Sequence, residues 1–161
     1  MVIQAGIVKT IGGVWTLCAK TIPNKPIKYV VPTHYHSDHA GGIRAFIPEN
    51  SILLSTSGNK KFYENFAPNL KVETFTNKRI ISDGERTVEL IDVGANPHTA
   101  ENIVVYLPQE KYLFQGDLFY FNGEATFPPK DRLTVMPFFA EWIKKNKLSP
   151  TRIYGFHSTL Y

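Results

Sequence analysis

The five histidines of this chain have the spacing of a metal-binding motif. His34, His36 and His39 lie in the hexapeptide HYHSDH at residues 34–39, and the other two are His98 and His157. Imidazole nitrogen and carboxylate oxygen hold zinc in proteins, and a catalytic zinc keeps one position open for water. Three imidazoles within six residues gain little from packing and repel one another when protonated. The hexapeptide is therefore interpreted as a metal-binding motif.

The hexapeptide follows a predicted strand from Tyr29 to Thr33. On the turn after that strand, the backbone can direct His34 and His36 to one side. Asp38 and His39 then point to a neighbouring position, about one metal diameter away. One loop is therefore predicted to serve two metal ions.

Three further candidate ligands each come shortly after a predicted strand. His98 follows the predicted strand at 86–93 and a turn, Asp117 follows the strand at 111–114 and Gly116, and His157 follows the strand at 152–156. Ligands and catalytic groups collect at such strand ends in layered α/β folds. Taken alone, His157 is at least as well explained as an ordinary surface or core residue. Asp117 alone could be a plain turn residue.

Short strands and helices alternate along the predicted chain. The strands are 28–32, 52–55, 72–75, 86–93, 102–107, 111–114 and 151–156, and the helices are 40–46, 59–66 and 137–147. Residues 102–107 and 111–114 are predicted to pair as a hairpin across Pro108 to Glu110. This order favours two sheets packed face to face, with helices outside.

Length and composition favour one compact domain of enzyme size. The chain has 161 residues, of which 43% are hydrophobic and 20% charged, so one core can bury about 70% of the unfolded surface. The net charge is +4, and a solvated face of the last helix, with Lys144, Lys145 and Lys147, explains much of it. No nucleic-acid partner is expected.

Targeting signals and disulfides are not predicted. Cys18 is the one cysteine, so an internal disulfide is excluded. No run of eighteen apolar residues suggests a membrane span. The first twenty residues lack a basic start before an apolar core and do not resemble a signal peptide. A cytoplasmic location is therefore favoured for the chain as given.

Taken together, the candidate ligands resemble a known family. The pattern His34-x-His36-x-Asp38-His39, then His98-Thr99, then Gly116-Asp117, then a last strand ending at His157, is similar to that of the metallo-β-lactamase-fold hydrolase superfamily. The stretch at 97–118 resembles that superfamily's middle block, in which a histidine loop and two strands lead to a bridging aspartate. The resemblance runs from about Ile27 to His157 and implies an α/β (α+β) fold, a four-layer αβ/βα sandwich, in a single domain at 1–161.

The resemblance also implies a metal centre with two zinc ions per chain, with iron, manganese or nickel as alternatives. The implied ligands are His34, His36 and His98 for the first metal, Asp38, His39 and His157 for the second, and Asp117 as the bridge. Two divalent ions about 3.5–4 Å apart lower the pKa of bound water until hydroxide exists near neutral pH. That metal-bound hydroxide would attack a polarised carbonyl or phosphoryl group, and Asp38 would be the catalytic residue that orients it or accepts its proton.

The amino-terminal part departs from the superfamily pattern. Members usually have several strands before the hexapeptide, including one that ends in an aspartate, whereas no acidic residue precedes Asp38 here. The segment Val14 to Ala19 could supply one strand. The N-terminal strands are therefore expected to be truncated or replaced. An open sheet edge of this kind could pair with a second copy of the chain, so a homo-oligomer is expected.

The implied activity is hydrolysis of an ester, lactone, lactam or similar bond in a small-molecule substrate. The most similar β-lactamases have cysteine where Asp117 stands and lysine where Tyr120 stands, so β-lactam hydrolysis is expected only as a weak side activity. Hydrolases of glutathione thioesters carry a C-terminal helical domain and are ranked lower. The residues expected around the substrate are Tyr35, Phe119, Tyr120, Phe121, Asn122 and Phe127.

Two alternative functions stay open. The same fold can hold a single iron and catalyse oxygen chemistry, although that variant usually leaves the histidines of the second metal unused, and His39 and His157 are both present here. The chain could also be a truncated, non-catalytic remnant that acts by binding a partner. Turnover that a chelator abolishes would exclude the second alternative.

Overall fold

The structure, a computed structural model that describes residues 2–5, 20, 25–48, 50–120 and 133–155, contains two β-sheets. The four-stranded sheet belongs to a first compact unit, Met1–Thr76, and the five-stranded sheet to a second, Asn77–Tyr161. The prediction of a single domain at 1–161 stays a prediction.

The sheet of the first unit is parallel throughout, in the order β1-β2-β3-β4. Its strands are β1 (Val2–Ala5), β2 (Tyr29–Pro32), β3 (Ile52–Thr56) and β4 (Lys71–Phe75). Strands of parallel sheets have both faces covered and form nearly continuous apolar runs. Accordingly, Val30 and Val31 of β2 and Leu53 and Leu54 of β3 are all fully buried.

Among residues 25–48 and 50–76, which the structure describes, three helical segments lie between β2 and β4. They are α1 (Ser37–Ala40), a 3₁₀ helix (Ile43–Phe46) and α2 (Lys60–Phe66). Ala40, Ile43, Phe46 and Tyr63 are buried in one core with residues of the sheet, including Val30 and Leu53. This core fixes the position of α1, and with it the hexapeptide.

The sheet of the second unit is mixed, in the order β5-β6-β7-β8-β9. Its strands are β5 (Lys78–Ser82), β6 (Thr87–Asp92), β7 (Ile103–Leu107), β8 (Tyr112–Gly116) and β9 (Arg152–Gly155), and its helix is α3 (Val135–Lys145). Only β8 and β9 are parallel neighbours; the other pairs are antiparallel. Val135 and Phe139 of α3 share a buried core with Val104, Leu113 and Leu118. This core supports the end of β8, which Asp117 follows.

Strand β5 is an element that the sequence pattern does not predict. Its apolar residues are the adjacent Ile80 and Ile81, which gives no alternation to recognise, and Ile80 is 60% exposed. The strand forms because a tight turn joins it to β6. In that turn Asp83 Oδ1 accepts hydrogen bonds from the backbone N–H groups of Arg86 and Glu85. These hydrogen bonds, the one from Arg86 above all, hold the pKa of Asp83 below its ordinary value.

Most predicted elements agree with the structure within one or two residues, but two helices differ. Residues 40–46 were expected to form one helix, whereas α1 ends at Ala40 and the 3₁₀ helix starts at Ile43. The last helix ends at Lys145, and Lys147 lies beyond it with a φ of 54°. The placement of Lys147 on that helix was therefore wrong.

Two expectations about the amino-terminal part remain untested. The predicted strand at Val14 to Ala19 lies outside the described residues, whereas β1, which was not predicted, lies beside β2. Pairing of two chains through an edge of this sheet also stays a prediction. Within the described ranges, no helix is long and apolar enough to cross a membrane.

Candidate metal centre

The hexapeptide begins one residue after β2 ends. It consists of a bend followed by the short helix α1. Thr33 and His34 follow the strand end at Pro32, and α1 starts at Ser37. The carbonyl oxygen of His36 accepts hydrogen bonds from the backbone N–H groups of His39 and Ala40, at 2.9 and 2.8 Å. The bend therefore carries two of the three histidines, and α1 carries Asp38 and His39.

Two imidazoles of the hexapeptide, those of His34 and His39, contact the buried hydroxyl group of Thr33. Thr33 Oγ1 lies 3.2 Å from Nδ1 of His34 and 3.1 Å from Nδ1 of His39. The rings of His34 and His39 are fully buried, with centroids 4.1 Å apart. Because both rings contact Thr33 through Nδ1, the other nitrogen, Nε2, is the atom available for metal coordination.

Each Nε2 atom lies close to a second donor of the same loop. Nε2 of His34 is 3.0 Å from Nδ1 of His36, and Nε2 of His39 is 3.4 Å from Oδ2 of Asp38. Two donors at 2.0–2.1 Å from a tetrahedral zinc ion are separated by roughly 3.3 Å. Both pairs therefore have a separation that suits one metal ion each.

A third donor pair forms in the second unit. Nε2 of His98 lies 3.4 Å from Oδ2 of Asp117, whose side chain is 3% exposed. This separation also suits two ligands of one tetrahedral ion. Donor groups that could hold a metal ion are thus present in both units.

The backbone of the His98 loop is held by the side chain of Asn96. Asn96 Oδ1 accepts hydrogen bonds from the backbone N–H groups of His98 and Thr99, at 3.0 and 3.1 Å, and Asn96 Nδ2 donates to the carbonyl oxygen of Gly94. At the start of the loop, Asp92 Oδ1 accepts from the N–H of Gly94 at 2.8 Å. Polar side chains that bond to nearby backbone in this way stabilise turns. His98 is therefore fixed through its own backbone.

The loop that carries Asp117 is held by the fully buried side chain of Gln115. Gln115 Oε1 accepts from the N–H groups of Leu118 and Phe119, and Gln115 Nε2 donates to the carbonyl oxygen of Phe119 at 2.8 Å. Gly116, which lies between Gln115 and Asp117, has a φ of 73°, a value that glycine adopts at low cost. This amide therefore holds the turn in which Asp117 lies.

Replacement of Gln115 by leucine is expected to destabilise the protein by about 2–4 kcal/mol, because the N–H groups of Leu118 and Phe119 and the carbonyl oxygen of Phe119 lose their partner. The metal affinity of the protein should fall with it, since the turn at Asp117 is no longer held. Urea unfolding and zinc titration would measure the two effects. The matched control is Gln109→Leu, since the exposed Gln109 makes one longer hydrogen bond, at 3.3 Å, to the N–H of Thr87. Equal losses for the two variants would contradict the prediction.

Of the seven predicted ligands, the described residues include His34, His36, Asp38, His39, His98 and Asp117. His157 lies outside the described residues, as do Phe121, Asn122 and Phe127 from the expected surroundings of the substrate. Tyr35 is 38% exposed, with its ring centroid 5.0 Å from that of His36. Phe119 and Tyr120 are half-buried.

Sequence reasoning did not identify the residues that support the ligands, namely Thr33, Asn96 and Gln115. Asn96 carries a recognisable signal, because Asn before Pro favours a turn. Thr33 and Gln115 carry no such signal, since their contacts depend on how β2 and β8 end.

A family model described as the metallo-beta-lactamase superfamily matches residues 2–157. The chain belongs to the metallo-β-lactamase superfamily, as its motifs predicted. Its fold also resembles that of the metallo-beta-lactamase from Pontibacter korlensis, with a TM-score of 0.75 and 26% identity over 96% of this chain and 73% of that one. The predicted α/β fold class is confirmed.

Curated relatives are similar over part of their length. The chain is 30% identical over 149 residues to the Beta-lactamase-like protein 2 homolog of Caenorhabditis elegans, covering 83% of this chain and 43% of the relative. It is 30% identical over 103 residues to the Probable hydroxyacylglutathione hydrolase glo2 of Schizosaccharomyces pombe, covering 63% and 37%. The chain thus spans less than half the length of these relatives. The superfamily match gives a metallo-hydrolase fold, and the imidazole and carboxylate side chains form groups that could hold a metal ion.

Proposed function

We propose that this chain is a binuclear zinc hydrolase that cleaves an ester, thioester, lactone, lactam or similar acyl bond in a small-molecule substrate. The observation that carries the proposal is the set of three donor pairs, each separated by 3.0–3.4 Å. Imidazole nitrogens and carboxylate oxygens are the ligands that zinc takes in proteins, and these separations suit two ligands of one ion. A bound ion would satisfy both members of each pair.

The pairs suggest how the ligands divide between two metal ions. His34 and His36 would hold the first ion, Asp38 and His39 the second, and His98 with Asp117 would complete the centre together with His157. When bound, the zinc ions supply a water molecule of lowered pKa and polarise the carbonyl oxygen of the substrate. The chemistry needs no serine or cysteine nucleophile.

A side chain of the protein would accept the proton of the attacking water. Asp38 is 27% exposed at its side chain, and its Oδ2 lies beside Nε2 of His39. A carboxylate has two oxygens, so one can hold a metal while the other accepts a proton from the attacking water. Asp38 is therefore the proposed catalytic residue.

Two exposed aromatic rings beside the hexapeptide suit an apolar part of the substrate. Tyr35 is 38% and Phe62 37% exposed, and their ring centroids are 5.6 Å apart. Phe62 in turn stacks on Phe66, with centroids 5.7 Å apart. Because Tyr35 contacts the ring of His36, an acyl group on this surface would lie next to the first metal.

The proposal is tested by hydrolysis assays on a small panel of substrates. The panel contains a phenyl ester, an acyl thioester, a lactone and a cephalosporin that changes colour on ring opening. We expect turnover of at least one acyl substrate, its loss on treatment with a chelator, and its return with added zinc. Activity restored by iron but not by zinc would favour the single-iron alternative. No turnover by protein that carries two zinc ions would favour the partner-binding remnant.

A further inference from the structure

The buried hydroxyl group of Thr33 contacts two histidines that the proposed function assigns to different metal ions. It lies 3.2 Å from Nδ1 of His34 and 3.1 Å from Nδ1 of His39, and Thr33 itself is 1% exposed. The hydroxyl thus connects the two metal positions within one loop.

The hydrogen atoms available to these three groups limit how they can bond. A threonine hydroxyl has one hydrogen to donate and two lone pairs to accept with, and a neutral imidazole carries its hydrogen on one nitrogen only. If Thr33 donates to one Nδ1, that ring must carry its hydrogen on Nε2. Such a ring cannot bind a metal through Nε2.

Metal binding through both rings therefore requires one arrangement. His34 and His39 must each carry hydrogen on Nδ1 and direct a bare Nε2 at their ion, so Thr33 Oγ1 must accept two hydrogen bonds. Partners that fix the tautomer of a metal-bound histidine are known to affect metal affinity. Here one oxygen would serve both rings.

We propose that Thr33 is a positioning residue shared by the two metal positions, because its single oxygen can accept the Nδ1–H of both His34 and His39 and so leave Nε2 of each ring bare for its ion. In this arrangement the hydroxyl hydrogen is donated to neither ring. Loss of the oxygen would therefore weaken both metal positions. This inference rests on the proposed function, which supplies the two metals.

The test uses Thr33→Val, which keeps the shape of the side chain and removes the oxygen, and Thr33→Ser, which keeps the oxygen. Zinc binding to the metal-free full chain is measured by calorimetry. We expect Thr33→Val to lose about 10- to 100-fold in affinity at both positions. Thr33→Ser should remain within about threefold of the original protein, a rescue that a loss of packing alone would not give.

A measurement on the unsubstituted protein keeps the inference testable should Thr33→Val fail to fold. Long-range nitrogen–proton NMR correlations of the zinc-loaded chain report the tautomer of each ring, and we expect Nδ1–H for both His34 and His39. An Nε2–H tautomer in either ring, or wild-type affinity in Thr33→Val, would overturn the role of Thr33 and leave the proposed function standing. Absence of zinc binding by the unsubstituted chain would overturn both.

Discussion

Replacement of Asp117 by alanine is expected to lower zinc content from two ions per chain to one or none, and to reduce kcat/KM by about a thousandfold, which corresponds to about 4 kcal/mol. The reason is that the buried carboxylate of Asp117 lies 3.4 Å from Nε2 of His98. Under the proposed function, Asp117 would also bridge the two ions, as the resemblance to the superfamily implies. Plasma mass spectrometry and steady-state kinetics on the same preparation would measure the two losses together.

The matched control for this variant is Asp83→Ala. Asp83 is an exposed aspartate in the turn between β5 and β6, where it accepts hydrogen bonds from backbone N–H groups only. This control should retain two zinc ions and the original kcat/KM, although the turn is weakened. An Asp117→Ala protein with two zinc ions and unchanged turnover would contradict the assignment of Asp117.

Replacement of Gly41 by alanine should destabilise the metal-free protein by about 2–3 kcal/mol. A Cβ atom at Gly41 would lie 2.5 Å from the carbonyl oxygen of Ser37, closer than real Cβ atoms come. That same oxygen accepts the N–H of Gly41 at 2.8 Å, and the neighbouring Ala40 and Ile43 are buried, so α1 has little freedom to shift. Because α1 carries Asp38 and His39, zinc affinity should fall as well. Urea unfolding and zinc titration would measure both effects.

Gly84→Ala is the control variant for Gly41→Ala. The comparison distinguishes the cost of a steric contact from the cost of backbone strain. Gly84 has a φ of 98° and nothing within 4 Å of an added Cβ, so only the strain of a left-handed alanine, about 1–2 kcal/mol, is expected there. Gly41 has a φ of −57°, which alanine adopts freely, so its cost is steric alone. If Gly41→Ala were as stable as the original protein, the close approach of Gly41 to the carbonyl oxygen of Ser37 would be refuted.

The sequence predicts those parts of the fold in which hydrophobic pattern and chain order agree. The apolar runs of β2 and β3 and the hairpin of β7 and β8 are confirmed because each is a strong local pattern bounded by turn residues. β1 is only four residues long, and its pairing with β2 leaves no recognisable signal in the sequence. The split of residues 40–46 into two helical segments falls at Gly41 and Gly42, and residue spacing does not reveal it.

For the candidate site, the sequence predicts the candidate ligands better than the residues that hold them in place. His34, His36 and His39 are conspicuous because of their number within one short loop, and Asp117 because it follows a strand and a glycine. The hydroxyl of Thr33 and the amide of Gln115 support the ligands through hydrogen bonds at the ends of β2 and β8. These hydrogen bonds form only when both strands end at the observed residues. Tertiary structure, rather than local propensity, determines these contacts.

The most direct test of the central claim is the metal content of the purified chain after it has been stripped with a chelator and reconstituted with zinc. Plasma mass spectrometry should find two zinc ions per chain, because the hexapeptide alone presents two separate donor pairs. Zinc that binds to no more than one site, or that does not bind at all, would contradict a binuclear hydrolase.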